Sequence, residues 1–126
     1  MNKINKTSDE GQGDFINNDL SSWNFDNNIP ENFDQHVNRS VPGYKEGHEI
    51  ISLYSDFFVN LPSKRFYDIG SSTGLLIQKI QNRHQKKDIT YIGIEPSINM
   101  INECSKRKFD DFEKVEFIND FITNVN

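Results

Sequence analysis

The stretch Arg65-Phe66-Tyr67-Asp68-Ile69-Gly70-Ser71-Ser72-Thr73-Gly74 restricts the possible folds more than any other part of the chain. A short apolar run carrying an acid turns through Gly70 and Gly74 and feeds Leu75-Leu76-Ile77-Gln78-Lys79-Ile80. That order predicts a strand, a tight loop and a helix. Glycine lets such a loop adopt positive φ and brings its backbone close to a ligand. The helix behind it presents free N–H groups and the positive end of its dipole. A second apolar run, Ile89-Thr90-Tyr91-Ile92-Gly93-Ile94, ends on Glu95, 25 residues beyond Gly70. Nucleotide-binding βαβ units place a ribose-binding acid about 20 residues past their glycine loop. The spacing implies a chain built to hold a nucleoside-containing cofactor.

The loop is not a dinucleotide fingerprint, which needs Gly-x-Gly-x-x-Gly. Serines stand at 71 and 72, and Asp68 sits two residues before the first glycine. A carboxylate there suits a cationic group better than a pyrophosphate, because like charges at short range repel. S-adenosylmethionine carries an ammonium, a sulfonium and a ribose but no phosphate. The residues therefore favour it over NAD.

Asp68-Ile69-Gly70-Ser71-Ser72-Thr73-Gly74 resembles the first motif of the class I S-adenosylmethionine-dependent methyltransferases, acid-x-Gly-x-Gly-x-Gly, with Ser72 replacing the middle glycine. Carboxy-S-adenosylmethionine synthases of tRNA wobble-uridine modification share that serine and a Ser-Val-Pro-Gly-Tyr segment, present here as Ser40-Val41-Pro42-Gly43-Tyr44. The stretch Pro96 to Cys104 resembles the same family's second helix, and the likeness runs from about Trp23 to Phe121. The resemblance implies a cofactor site made of Tyr44, Asp68, Gly70, Ser71, Ser72, Gly74, Glu95, Pro96, Asp120 and Phe121. In it Asp68 holds the methionine ammonium, Gly70 to Ser72 approach the methionine part, Glu95 accepts from the ribose hydroxyls and Asp120 bonds the adenine amine. The ligand implied is S-adenosylmethionine or its carboxylated form. The acceptor is open, a tRNA among the candidates, and no residue is assigned as a general base.

Each residue also has a plainer reading. Asp68 taken alone is a loop-capping acid, Glu95 a helix-start acid favoured by the dipole, and Asp120 carries almost no signal. His36, His48 and His84 share no metal-ligand spacing, which leaves them surface or packing roles. Cys104 falls on an apolar helical face and reads as core. Pro42 and Gly43 break the chain, so Tyr44 is expected on a bend.

The predicted architecture is α/β, a Rossmann-like three-layer sandwich of which this chain supplies the first half. Strands are expected at about 65–69, 89–94 and 114–118, with helices at 74–84 and 97–107. The inner faces should carry residues 76, 77 and 80, and 98, 101 and 104; Ser97 should cap the second helix. A helix from Glu46 to Val59, with apolar residues at 50, 51, 54, 57 and 58, is expected to cover the sheet. Strand–helix alternation implies parallel pairing with ligand at the carboxyl ends of the strands. Seven strands are usual in the family, so the first strand's far edge should stand exposed or be covered by a partner chain or second copy.

At 126 residues the chain has room for one domain. Residues 1 to 22, polar and glycine-punctuated, are expected to form a disordered arm, with the cofactor domain over 23–126. A net charge of −5 argues against broad attachment to nucleic acid. A single cysteine excludes an internal disulfide and suits a reducing cytoplasm. With mean hydropathy of −0.73 and no apolar run near the roughly 20 residues of a span, no membrane association is expected. The functions in contention are methyl transfer, carboxyl transfer to the cofactor, and a non-catalytic cofactor-binding or interaction fragment.

Overall fold

A computed structural model of the chain describes residues 29–60 and 64–125. The expected N-terminal arm, and with it Trp23 and Phe25, lies outside the described residues. The elements in order are α1 (Ile29–Ser40), α2 (Tyr44–Tyr54), β1 (Arg65–Ile69), α3 (Leu75–Arg83), β2 (Thr90–Ile94), α4 (Ile98–Lys106) and β3 (Val115–Ile118). The three strands form one sheet in the order β1-β2-β3, and both pairs are parallel. This is the Rossmann-like arrangement expected from the strand–helix alternation.

The register sorts side chains by face, because neighbours along a strand point to opposite sides. Phe66, Tyr91 and Val115 lie abreast, as do Asp68, Gly93 and Phe117. These share the face on which the helices pack. Ile77 and Ile80 of α3 form a buried cluster with Ile89 and Tyr91, against which Phe66, Val115 and Phe117 lean. Each fully buried isoleucine contributes about 1.5–3 kcal/mol of burial. The other face carries Tyr67, Ile92 and Glu116 abreast, then Ile69, Ile94 and Ile118. Ile92 and Ile94 are buried there, but Tyr67 and Ile69 of β1 are exposed.

Ser97 caps α4 as expected, its side chain accepting from the Met100 N–H. The inner face of α4 differs from the expectation of 98, 101 and 104. Ile98 is exposed, while Met100 and Cys104 are the buried residues. Burial also pushes the Cys104 thiol up to about 12, consistent with a core residue.

The helix expected from Glu46 to Val59 starts earlier and stops sooner. Gly43, at φ 78, caps its start, so Tyr44 opens a regular helix rather than sitting on a bend. Its apolar stripe does not cover the sheet. Ile50, Ile51, Leu53, Tyr54, Phe57 and Phe58 are all exposed. The side that packs against α3 is small and polar: Ser52 and Ser55 are buried, and Lys79–Glu49 and Arg83–Asp56 ion pairs flank them. Hydrophobic spacing located the helix but named the wrong face, because packing there is made by serines and ion pairs that a hydrophobic count ignores.

Candidate functional site

Parallel pairing brings the carboxyl ends of the strands to one edge. Asp68 stands one residue before the end of β1, Glu95 directly follows β2, and Asp120 comes two residues after β3. The three acids expected to form a site are thus arrayed across one end of the sheet.

Between β1 and α3 the chain turns back over β2: the N–H groups of Gly70 and Ser71 both donate to Ile94 O, at 2.8 and 3.2 Å. Gly70 has φ 75, and a Cβ there would meet nothing within 4 Å, so the loop is open on that side. Gly74 also has φ 75, but a Cβ there would come within 2.9 Å of Phe117. Gly93 makes room for the same ring and for Ser71 Oγ. Phe117 thereby wedges the loop against the sheet.

Ser72 takes φ 50, a left-handed conformation that costs a residue with a Cβ about 1–3 kcal/mol. Its surroundings hold it there. The Ser72 N–H donates to Glu95 Oε2 at 2.9 Å, and the Cys104 thiol donates to Ser72 O at 3.1 Å. Glu95 Oε1 accepts from the Ser97 N–H, also at 2.9 Å. The buried Glu95 therefore joins the glycine loop to the start of α4. Each of its oxygens keeps a second lone pair for a ligand hydroxyl.

Asp68 has the opposite character. Desolvation by burial, reinforced by the Glu95 charge, pushes its carboxyl up to about 6. Among the described residues no cation or donor offsets this. Tyr44 is half-buried at the start of α2, its hydroxyl raised first by burial and then by the charges of Asp34 and Asp68. Its ring lies 4.4 Å from that of His48. Ser71 Oγ is buried and has no hydrogen-bond partner among the described residues. Asp120 Oδ1 accepts from the Phe121 N–H and from Asn124 Nδ2, both at 2.7 Å, and shapes the turn after β3. Phe121 and Pro96 are exposed beside it. Asn119 Nδ2 ties that turn to the carbonyls of Glu95 and Pro96.

Two residues of this assembly were not singled out from the sequence. Arg107, just past α4, donates from Nε to Thr73 O at 2.8 Å and from Nη2 to Thr73 Oγ1 at 3.0 Å. The same Nη2 pairs with Asp34 Oδ2 of α1 at 2.5 Å, and Asp34 Oδ1 accepts from Thr73 Oγ1–H at 2.6 Å. In the sequence Arg107 reads as one more basic residue at a helix end. A bond between residues 73 apart leaves no periodic trace.

The described residues also form a cavity of about 200 Å³ at the amino ends of the strands, lined by Phe58, Val59, Phe66, Ile80, Ile89 and Tyr91, with Lys64 and Arg65 beside it. His84 there is buried and bonds Ser55 Oγ at 2.7 Å, while Ser55 donates to Ser52 O. The serine proton is committed to a carbonyl, and the imidazole ties the end of α3 to the residue that follows α2. No helix among the described residues is long and apolar enough to cross a membrane.

The chain matches no protein-family model. It is 44% identical over 79 residues to a carboxy-S-adenosyl-L-methionine synthase of Staphylococcus epidermidis, a match covering 62% of this chain and 34% of that protein. A synthase of the same name from Cronobacter sakazakii is 31% identical over 109 residues, covering 84% of this chain and 43% of the relative. The chain thus spans between a third and a half of the length of these curated relatives. Among solved structures, the plantazolicin methyltransferase BpumL in complex with SAH superposes with a TM-score of 0.56 at 22% identity. That match covers 80% of this chain and 37% of the other. The described part of the chain therefore shares its fold with that methyltransferase.

Proposed function

Starting from a class I S-adenosylmethionine-dependent methyltransferase-like domain related in sequence to carboxy-S-adenosylmethionine synthases, we propose that this chain binds S-adenosylmethionine or its carboxylated form across the carboxyl edge of its sheet. The observation that carries the reading is Asp68: a desolvated carboxylate without a countercharge among the described residues, two residues before a loop left open at Gly70. A ligand bearing an ammonium supplies the missing charge.

In this reading Asp68 holds the ammonium, with Tyr44 beside it. Gly70, Ser71, Ser72 and Gly74 approach the methionine part, and the unpartnered Ser71 hydroxyl offers a further donor. Glu95, with Pro96 next to it, accepts from the ribose, while Asp120 and Phe121 meet the adenine. The sulfonium is already an activated donor, so protein groups need to align acceptor, transferred carbon and sulfur and to exclude water. Transfer of a methyl group to an acceptor, a tRNA among the candidates, is the first form of the reaction. Carboxyl transfer to the cofactor is the second, favoured by the names of the sequence relatives and by the Ser40-to-Tyr44 segment. A non-catalytic cofactor-binding or interaction role is the third.

The test is calorimetric titration of the folded chain with S-adenosylmethionine and S-adenosylhomocysteine, beside its Asp68→Asn variant. Binding weakened at least about tenfold by the variant, at unchanged thermal stability or better, supports the site. A folded wild-type chain that binds neither ligand overturns it. Mass spectrometry of the co-purified ligand separates the two transfer reactions, since the carboxylated cofactor is heavier.

A further inference from the structure

Arg107 occupies a place that charge pairing does not explain. Its guanidinium reaches the Thr73 carbonyl, the Thr73 hydroxyl, Asp34 and, through Nη1, Gln78 Oε1 at 3.1 Å. Asp34 returns a second bond to the same hydroxyl. Thr73 is buried between the left-handed Ser72 and Gly74. The network thus grips the loop from the side of α1 and α4, opposite the Glu95 bond to Ser72 that grips it from β2. An exposed salt bridge contributes little, but here both side chains are largely withdrawn from water, at 16% and 30% exposure.

We propose that Arg107 and Asp34 are positioning residues that act through Thr73 to set the glycine loop for the methionine end of the ligand. The proposal rests on the cofactor reading above. Arg107 and Asp34 need not touch the ligand. They fix the backbone path of residues 70–72, and with it the Ser71 and Ser72 side chains, in the conformation that receives it. The planar fork is what allows one side chain to serve Thr73 and Asp34 together; an ammonium, with its donors on one atom, does not reproduce that span. The dependence is therefore geometric rather than simply electrostatic, and it concerns one end of the ligand. Ribose and adenine, met by Glu95 and Asp120, lie outside its reach.

The experiment uses Arg107→Lys, Asp34→Asn and the double variant. It measures affinity for S-adenosylhomocysteine and for 5′-methylthioadenosine, which lacks the amino-acid end, together with amide exchange of residues 72–74 and thermal stability. The expected result is faster exchange at 72–74 in Arg107→Lys and a loss of about tenfold or more for S-adenosylhomocysteine, with 5′-methylthioadenosine changed less than about twofold. The double variant should be no worse than the more damaged single one, as for residues in one network. Equal losses for both ligands, tracking a lowered melting temperature, would reduce the pair to a structural bond and overturn the proposal, as would unchanged exchange at 72–74. If the wild type binds neither ligand, the cofactor reading fails by itself, and amide exchange still decides whether the pair holds the loop.

Discussion

Asp68 links protonation to both folding and binding. Its carboxyl titrates near 6 in the folded chain, against an ordinary value of 3.8, so between those limits the folded state holds a proton that the unfolded state has released. Stability therefore falls as pH rises through that window. At about 1.4 kcal/mol per unit, the penalty is on the order of 3 kcal/mol at neutral pH. Asp68→Asn should accordingly raise the melting temperature at pH 7 and leave it nearly unchanged at pH 4. A ligand ammonium needs the ionised form, so affinity for S-adenosylhomocysteine should climb from pH 5 and level off above about pH 7, a slope that the asparagine variant lacks. Calorimetry across that range checks both. Glu95 is bonded within the folded chain, its oxygens accepting from the N–H groups of Ser72 and Ser97. Glu95→Ala should cost about 2–3 kcal/mol before any ligand is added, which urea unfolding measures. Loss of binding in that variant alone would thus not separate ligand contact from loop support.

At the level of elements, α2 and α3 offer a matched comparison. Both present isoleucines at helical spacing, yet Ile77 is fully buried and Ile50 is 52% exposed. Ile77→Ala should cost about 2–5 kcal/mol, whereas Ile50→Ala should fall within about 0.5 kcal/mol of the parent, as thermal or urea unfolding would show. The same contrast explains which parts of the structure were legible in the sequence. The strands and the helices that join them were readable to within a residue or two, because local period and punctuation by glycine, proline and Ser97 agree with the tertiary fold. The arrangement of Asp68, the glycine loop, Glu95 and Asp120 on one edge followed from parallel pairing. What was not readable came from contacts with no local signature: the serine face of α2, the substitution of Met100 for Ile98 on α4, and the bonds from Arg107 to Thr73 and Asp34. The doubly engaged state of Glu95 leaves no local trace either, since a ligand-binding acid and a loop-bracing acid look the same in sequence.

For the molecule as a whole, the open side of β1 dominates. β1 pairs with β2 alone among the described strands, and parallel sheets are rarely left uncovered. Tyr67 and Ile69 are exposed on its uncovered face, and the apolar stripe of α2 is exposed as well. The isolated chain should bind an environment-sensitive hydrophobic dye and associate as its concentration rises. Sedimentation of a Tyr67→Lys variant should show less association with the fold retained; equal association would place the contact elsewhere. A last consequence concerns the order in which the chain acquires its parts. The bond from Asp34 to Arg107 closes a loop of 73 residues, while the strand–helix units close over far shorter spans. Entropy of closure grows with the length of chain enclosed, so the short spans form first. A refolding chain should therefore regain its sheet before α1 settles over the glycine loop, and competence to bind should appear after circular dichroism has already recovered.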